Sequence, residues 1–86
     1  MEKYKLEIKK SAAKEIQRLP DREKISILTR VDSLRHNPRP QDCKKLSAQE
    51  IYRVRCGNYR ILYHIKDDVL VVYVVKVGHR KDVYKG

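Results

Sequence analysis

Ile51-Tyr52-Arg53-Val54-Arg55-Cys56-Gly57-Asn58-Tyr59-Arg60 alternates apolar and basic residues on either side of a Gly-Asn pair. A period of two marks a half-buried strand, and Gly57-Asn58 is a dipeptide typical of tight hairpins. A two-residue loop pairs Cys56 with Tyr59 and sets Arg55 directly opposite Arg60. Successive side chains of a strand point to opposite faces, so Arg53 joins that pair on one face. Tyr52, Val54, Cys56, Tyr59, Ile61 and Tyr63 take the other. Like charges opposed across a sheet are unfavourable, so the fold gains nothing from placing Arg55 against Arg60. A solvated basic face is the ordinary reading of one charged strand. Three arginines converging on one face favour a site for an anion.

Working outward, Tyr4, Leu6 and Ile8 alternate with Lys3, Lys5, Glu7 and Lys9, which predicts a first strand with one buried face. Ser11 is placed to cap a short helix in which Ala12, Ile16 and Leu19 recur at helical spacing, and Pro20 stops it. Asp21 is the next capping candidate, with Glu23 well placed in the first turn. Ile25, Leu28, Val31 and Leu34 predict an apolar stripe along a longer helix, which Asn37-Pro38 ends. So short a link makes the two helices an antiparallel hairpin. Arg39 to Glu50 reads as a polar connection. Downstream, a strand runs from about Tyr59 to Ile65, Lys66-Asp67-Asp68 turns the chain, and the apolar run from Val69 to about Val77 predicts a central strand covered on both faces. Gly78 is expected to break that strand and to bend His79-Arg80-Lys81-Asp82-Val83-Tyr84 back towards Arg55 and Arg60. The predicted class is α+β in the order β-α-α-β-β-β. One domain, residues 1–86, carries a four-stranded, largely antiparallel sheet with a helical hairpin packed on one face.

At 86 residues the chain lies at the small end of what one core can stabilise. Its 21 Lys+Arg against 11 Asp+Glu give a net charge of +10. Charge on that scale calls for a polyanionic partner, nucleic acid or an acidic protein, and it opposes compaction by self-repulsion. Met1-Glu2-Lys3-Tyr4-Lys5 leads straight into alternation, and no apolar stretch approaches the ~20 residues of a membrane helix. The reading is a cytoplasmic protein with no leader and no membrane partner. Cys43 and Cys56 stand apart without CxxC spacing, which fits a reducing cytosol better than a disulfide or zinc site. Neither is assigned any chemistry.

The inventory of reactive groups is narrow. Paired carboxylates are missing from the arginine face, as is a Gly-rich phosphate loop before a helix or a nucleophilic Ser or Cys with a base. His36, His64 and His79 lack metal-ligand spacing, and no metal or other cofactor is expected. His36 sits at a helix end and reads as structural. His64 falls on the arginine face some two residue pairs further along, either as a contact to a bound strand or as a half-exposed sheet histidine. What remains is Arg53, Arg55, Arg60, Arg80, Tyr84 and His79. That set suits metal-independent RNA cleavage, in which the 2′-hydroxyl attacks its own 3′-phosphate. The charge that builds on phosphorus needs fixed cations, and the departing 5′-oxygen needs a proton. Arginine makes bidentate phosphate contacts, and aromatic rings stack on unpaired bases. Arginine also stays protonated at neutral pH, which makes Arg53 and Arg55 poor bases. Tyr84, its pKa lowered by surrounding cations, or His79 is better suited.

In their order and spacing, Tyr52-Arg53-Val54-Arg55, Gly57, Tyr59-Arg60, Val77-Gly78-His79-Arg80 and Val83-Tyr84 resemble the RelE/ParE superfamily of bacterial and archaeal toxins, and more narrowly its RelE branch. Each motif alone is modest; together they are quite specific, and the element order matches over essentially the whole chain. The resemblance implies the toxin of a type II toxin–antitoxin pair, an endoribonuclease that cuts messenger RNA in the ribosomal A site. It implies that Arg53 and Arg55, where relatives have lysines, flank the scissile phosphate and help to activate the 2′-hydroxyl. Arg60 would stabilise the transition state, Arg80 would assist the leaving group, and Tyr84 would stack on the substrate and help to move the proton. Lys44, Lys45, His64 and His79 are the expected RNA contacts. Arginines in place of lysines keep the charge without supplying a lysine-type base, and Ser47 stands where relatives often carry another basic residue. The implied partners are the ribosome with its mRNA and an acidic or amphipathic, RelB-like antitoxin, joined with the toxin in a hetero-oligomer. Two other readings stay open: a ParE-like inhibitor of DNA gyrase, and a catalytically weakened relative that keeps only its binding to an antitoxin.

Overall fold

The computed structural model describes residues 3–46 and 50–79. Its elements follow the order β1 (Lys5–Ile8), α1 (Lys10–Gln17), α2 (Asp21–Ser33), β2 (Lys44–Leu46), β3 (Ile51–Cys56), β4 (Tyr59–Lys66) and β5 (Val71–His79). The strands form one sheet in the order β1-β5-β4-β3-β2. β1 runs parallel to β5, and the other three pairings are antiparallel.

The hairpin of β3 and β4 has the register that the alternation predicts, with Cys56 opposite Tyr59 and Arg55 opposite Arg60. Gly57 holds φ at 60° while Asn58 is not among the residues with positive φ. Glycine at the first of two central positions is the pattern of a type II′ turn, whose twist matches that of the strands. A Cβ at Gly57 would meet no atom within 4 Å, so the turn needs glycine for its backbone and not for space.

Both helices pack on one face of the sheet. The core joins Ala12 and Ile16 of α1 and Ile27, Val31 and Leu34 of the α2 segment to Tyr52, Val54, Ile61, Tyr63, Ile65, Val72, Val74 and Val77. The buried stripe of α2 is therefore phased differently from the expected one: Ile27 is sealed, whereas Ile25 is 66% and Leu28 43% exposed. Steps of three residues drift by about 60° each on a helix of 3.6 residues per turn, so Ile25 and Leu34 lie on opposite sides. Ile27, Val31 and Leu34 stay within one face. The capping expectation also changes: α1 is preceded by Lys9 and α2 by Pro20, and neither N-terminus has a side-chain cap. Ser11 lies inside the first turn of α1.

Two features of the sheet go beyond the expected four strands. Part of the polar connection, Lys44–Leu46, pairs with β3 as a fifth, short edge strand. β5 carries a bulge: Leu62 pairs with Lys76 but Tyr63 pairs with Val74, which leaves Val75 extra. Past the bulge β5 continues through Gly78, which pairs with Arg60, to His79. Gly78 does not break the strand, contrary to the expected bend there. β1 ends opposite Val74, and beyond it a side chain supplies the missing edge partner. Glu15 of α1 accepts the Val77 backbone N–H at 3.0 Å and the Lys76 ammonium at 3.1 Å.

The far end of the sheet is tied by polar contacts. Tyr63 donates its hydroxyl to the Pro38 carbonyl at 2.8 Å. Asp67, in the β4–β5 turn, accepts from the Tyr4 hydroxyl at 2.7 Å and from Arg39 at 2.8 Å. Arg39 also lies 5.3 Å from the centre of the Tyr52 ring. The same turn holds Leu70 at φ 54°, a strained value for a side chain of that size. β5 therefore starts at Val71, not at the exposed Val69. Among the described residues no helix is long and apolar enough to cross a membrane.

Candidate functional site

The face of the sheet away from the helices presents its side chains in cross-strand rows. One row runs Arg55, Arg60, Gly78; the next runs Lys44, Arg53, Leu62, Lys76. Strand alternation places Arg53, Arg55 and Arg60 together, and the β2 edge adds Lys44 beside Arg53. Their exposures differ. Arg55 is exposed and Arg53 half-buried, whereas Arg60 is only 1% exposed. A glycine stands next to Arg60 in its row, so the directly paired β5 position adds no side chain there.

Two hollows open on this face. Arg55, Gly57, Asn58, Tyr59 and Arg60 line a small one of about 40 Å³, room for a few water-sized groups such as the oxygens of one phosphate. Asp42, Lys44, Arg53 and Arg55 line a larger groove of about 350 Å³. Arg55 borders both. In the larger groove the Lys44, Arg53 and Arg55 side chains are donors only, and Asp42 is a carboxylate in the wall. Asp42 is fixed from behind by α2, where Arg30 donates to its Oδ2. That hydrogen bond holds the Asp42 carboxyl below its usual range, so it is ionised at neutral pH. The loop composition around Asp42 gives no periodicity, and only the pairing of β2 with β3 brings it beside the arginines.

The other expected contacts divide between the two faces. His64 shares the arginine face, four residues from Arg60 and so about 13 Å along the strand. Its Nδ1 lies 3.1 Å from the Glu50 carbonyl, and its ring stacks on Tyr73 at 6.5 Å. Lys66 reaches over that Tyr73 ring at 5.2 Å. Lys45 pairs with Tyr52 in the alternate register, away from Lys44, and its ammonium lies 3.8 Å from Glu50. His79 meets Tyr59 edge to face at 5.7 Å, which puts it on the helix-covered face and not with Arg55. Arg80 and Tyr84 lie outside the described residues. Cys56 is partly buried, and burial pushes its thiol up, away from the thiolate form. No group of three or more His, Cys, Asp or Glu side chains gathers among the described residues.

With this geometry in place, likeness to known proteins is informative. The family model described as ParE toxin of type II toxin-antitoxin system, parDE, matches residues 6–84. A protein of Methanocaldococcus jannaschii that carries the name RelE1 is 31% identical, over 96% of this chain and 97% of its own. The archaeal RelE in complex with RelB from Pyrococcus horikoshii superposes with a TM-score of 0.82 at 30% identity, covering 91% of this chain and 96% of that one. The isolated RelE toxin of Escherichia coli gives 0.80 at 26% identity, covering 95% and 92%.

Proposed function

The chain belongs to the ParE toxin family of type II toxin–antitoxin systems, and from that premise we propose that it is an endoribonuclease that cuts ribosome-bound mRNA. The observation that carries this reading is the convergence of Arg55 and Arg60 in one row beside Lys44 and Arg53 in the next. The reaction is attack of a 2′-hydroxyl on the adjacent phosphate, with no metal called for. Arg55 and Arg53 hold the phosphate from the groove side, and Arg60 supplies fixed positive charge from beneath, where burial strengthens its field. Arg80 assists the leaving 5′-oxygen, and Tyr84 stacks on the substrate and helps to move its proton. Lys44, His64, Lys45 and His79 contact RNA, the last two from the opposite face of the sheet.

The partner proposed for storage of the toxin is a RelB-like antitoxin, the kind of protein seen bound to the Pyrococcus relative. An acidic or amphipathic chain over the arginine rows would offset the repulsion between Arg55 and Arg60. The compartment proposed is the cytoplasm.

Ribosome profiling after induction tests the reading. Codon-positioned cuts in mRNA are the expected result, and growth arrest without such cuts would sink it. The family model is named for ParE, so inhibition of DNA gyrase is the second reading. A supercoiling assay with purified protein separates them, with gyrase expected to stay active.

A further inference from the structure

We infer that Asp42 is a catalytic residue of this site, the acceptor of the 2′-hydroxyl proton. The inference rests on the endoribonuclease reading and supplies the group that the arginine rows lack. Attack by a 2′-hydroxyl requires a proton acceptor within hydrogen-bond reach. Lys44, Arg53 and Arg55 are donors only and cannot take that proton. Asp42 lines the same groove as those three cations, and its side chain is the one there that can accept a proton.

Three further observations fit the assignment. The carboxylate is 58% exposed, so a substrate can reach it. Arg30 engages Oδ2 from the α2 side, which leaves Oδ1 outside the ion pair. The same contact keeps the group ionised at neutral pH. A carboxylate is a weak base towards a hydroxyl, so its contribution comes from being held in place beside the phosphate-binding cations.

The 2′-O–H bond breaks and its proton passes to Asp42 Oδ1 while the 2′-oxygen bonds to phosphorus. The P–O5′ bond then breaks, and the 5′-oxygen takes a proton from solvent water. The products are a 2′,3′-cyclic phosphate and a 5′-hydroxyl, and the proton on Asp42 returns to solvent.

The test is single-turnover cleavage of mRNA on programmed ribosomes by the full chain and by D42N, D42E and R30Q. Binding to ribosomes whose codon carries a 2′-deoxy substitution is measured alongside. D42N is expected to lose about 100-fold or more in rate while its affinity for the 2′-deoxy complex is kept or rises. D42E is expected to recover to within about tenfold of the parent, and R30Q to lose less than D42N because it retains the carboxylate. Thermal melting of each variant checks the fold. D42N cleaving within about threefold of the parent, or R30Q being as impaired as D42N, would overturn the assignment. The second result would make the ion pair itself what matters. If the parent leaves mRNA intact, the endoribonuclease reading fails and the role of Asp42 falls with it. An active parent with an active D42N sinks Asp42 alone.

Discussion

Gly57 and Arg60, three residues apart, carry opposite kinds of constraint. At Gly57 the constraint is backbone: φ is 60° and the space around a Cβ is empty. Alanine there should cost about 1–2 kcal/mol through left-handed strain alone, visible as a lower urea midpoint with an unchanged slope. At Arg60 the constraint is charge, because a residue only 1% exposed carries a fixed cation on the face proposed to meet RNA. R60A should lower single-turnover cleavage by about 10²–10³-fold, the range for losing one preorganised electrostatic donor. Unchanged toxicity of R60A would remove it from the machinery. Asp67 gives a pH signature remote from that chemistry. Hydrogen bonds from Arg39 and Tyr4 draw its carboxyl down to about 2, below the ~3.9 of an unfolded chain. Its stabilising effect is therefore present above about pH 4 and is lost as the pH falls through about 2. D67N should flatten the fall of melting temperature across that window.

Among the elements, β5 depends on a side chain from another layer. Where β1 stops, Glu15 takes over as the edge partner of Val77. E15A should destabilise by about 1 kcal/mol, mainly through the orphaned amide and not the half-exposed Lys76 pair. The Val77 amide should then exchange its hydrogen faster than its neighbours in the strand. The hairpin of β3 and β4 was fully legible in the sequence because period-two alternation and Gly57-Asn58 specify the same register. β2 was not, since Lys44, Lys45 and Leu46 show no period and become a strand only by pairing with β3. The face of α2 was misphased because Ile25, Leu28, Val31 and Leu34 look periodic at three residues, whereas burial follows 3.6. The bulge at Val75 was hidden by an apolar run that reads the same on either face. The arginine cluster could be read from alternation, but Asp42 and the place of His79 depend on pairings that no local pattern encodes.

At the scale of the whole molecule, a net charge of +10 acts on folding and on binding with opposite signs. Added salt screens self-repulsion, so the isolated protein should melt at a higher temperature as ionic strength rises towards 0.5 M, roughly past the range of strong screening. Over the same range its affinity for ribosomes should fall steeply, as counterion release requires. A parallel fall of both would show that local ion pairs outweigh the net charge. The parallel contact of β1 with β5 has a separate consequence, which concerns translation order. Lys5 waits for Val71 before it has a strand to pair with, and β5 also brings Val72, Val74 and Val77 to the core. A nascent chain that has not yet exposed β5 holds its arginine hairpin without the layer that sets it in place. The proposed activity is therefore expected to arise late, when β5 slots between β1 and β4, and chains interrupted before β5 are expected to be harmless.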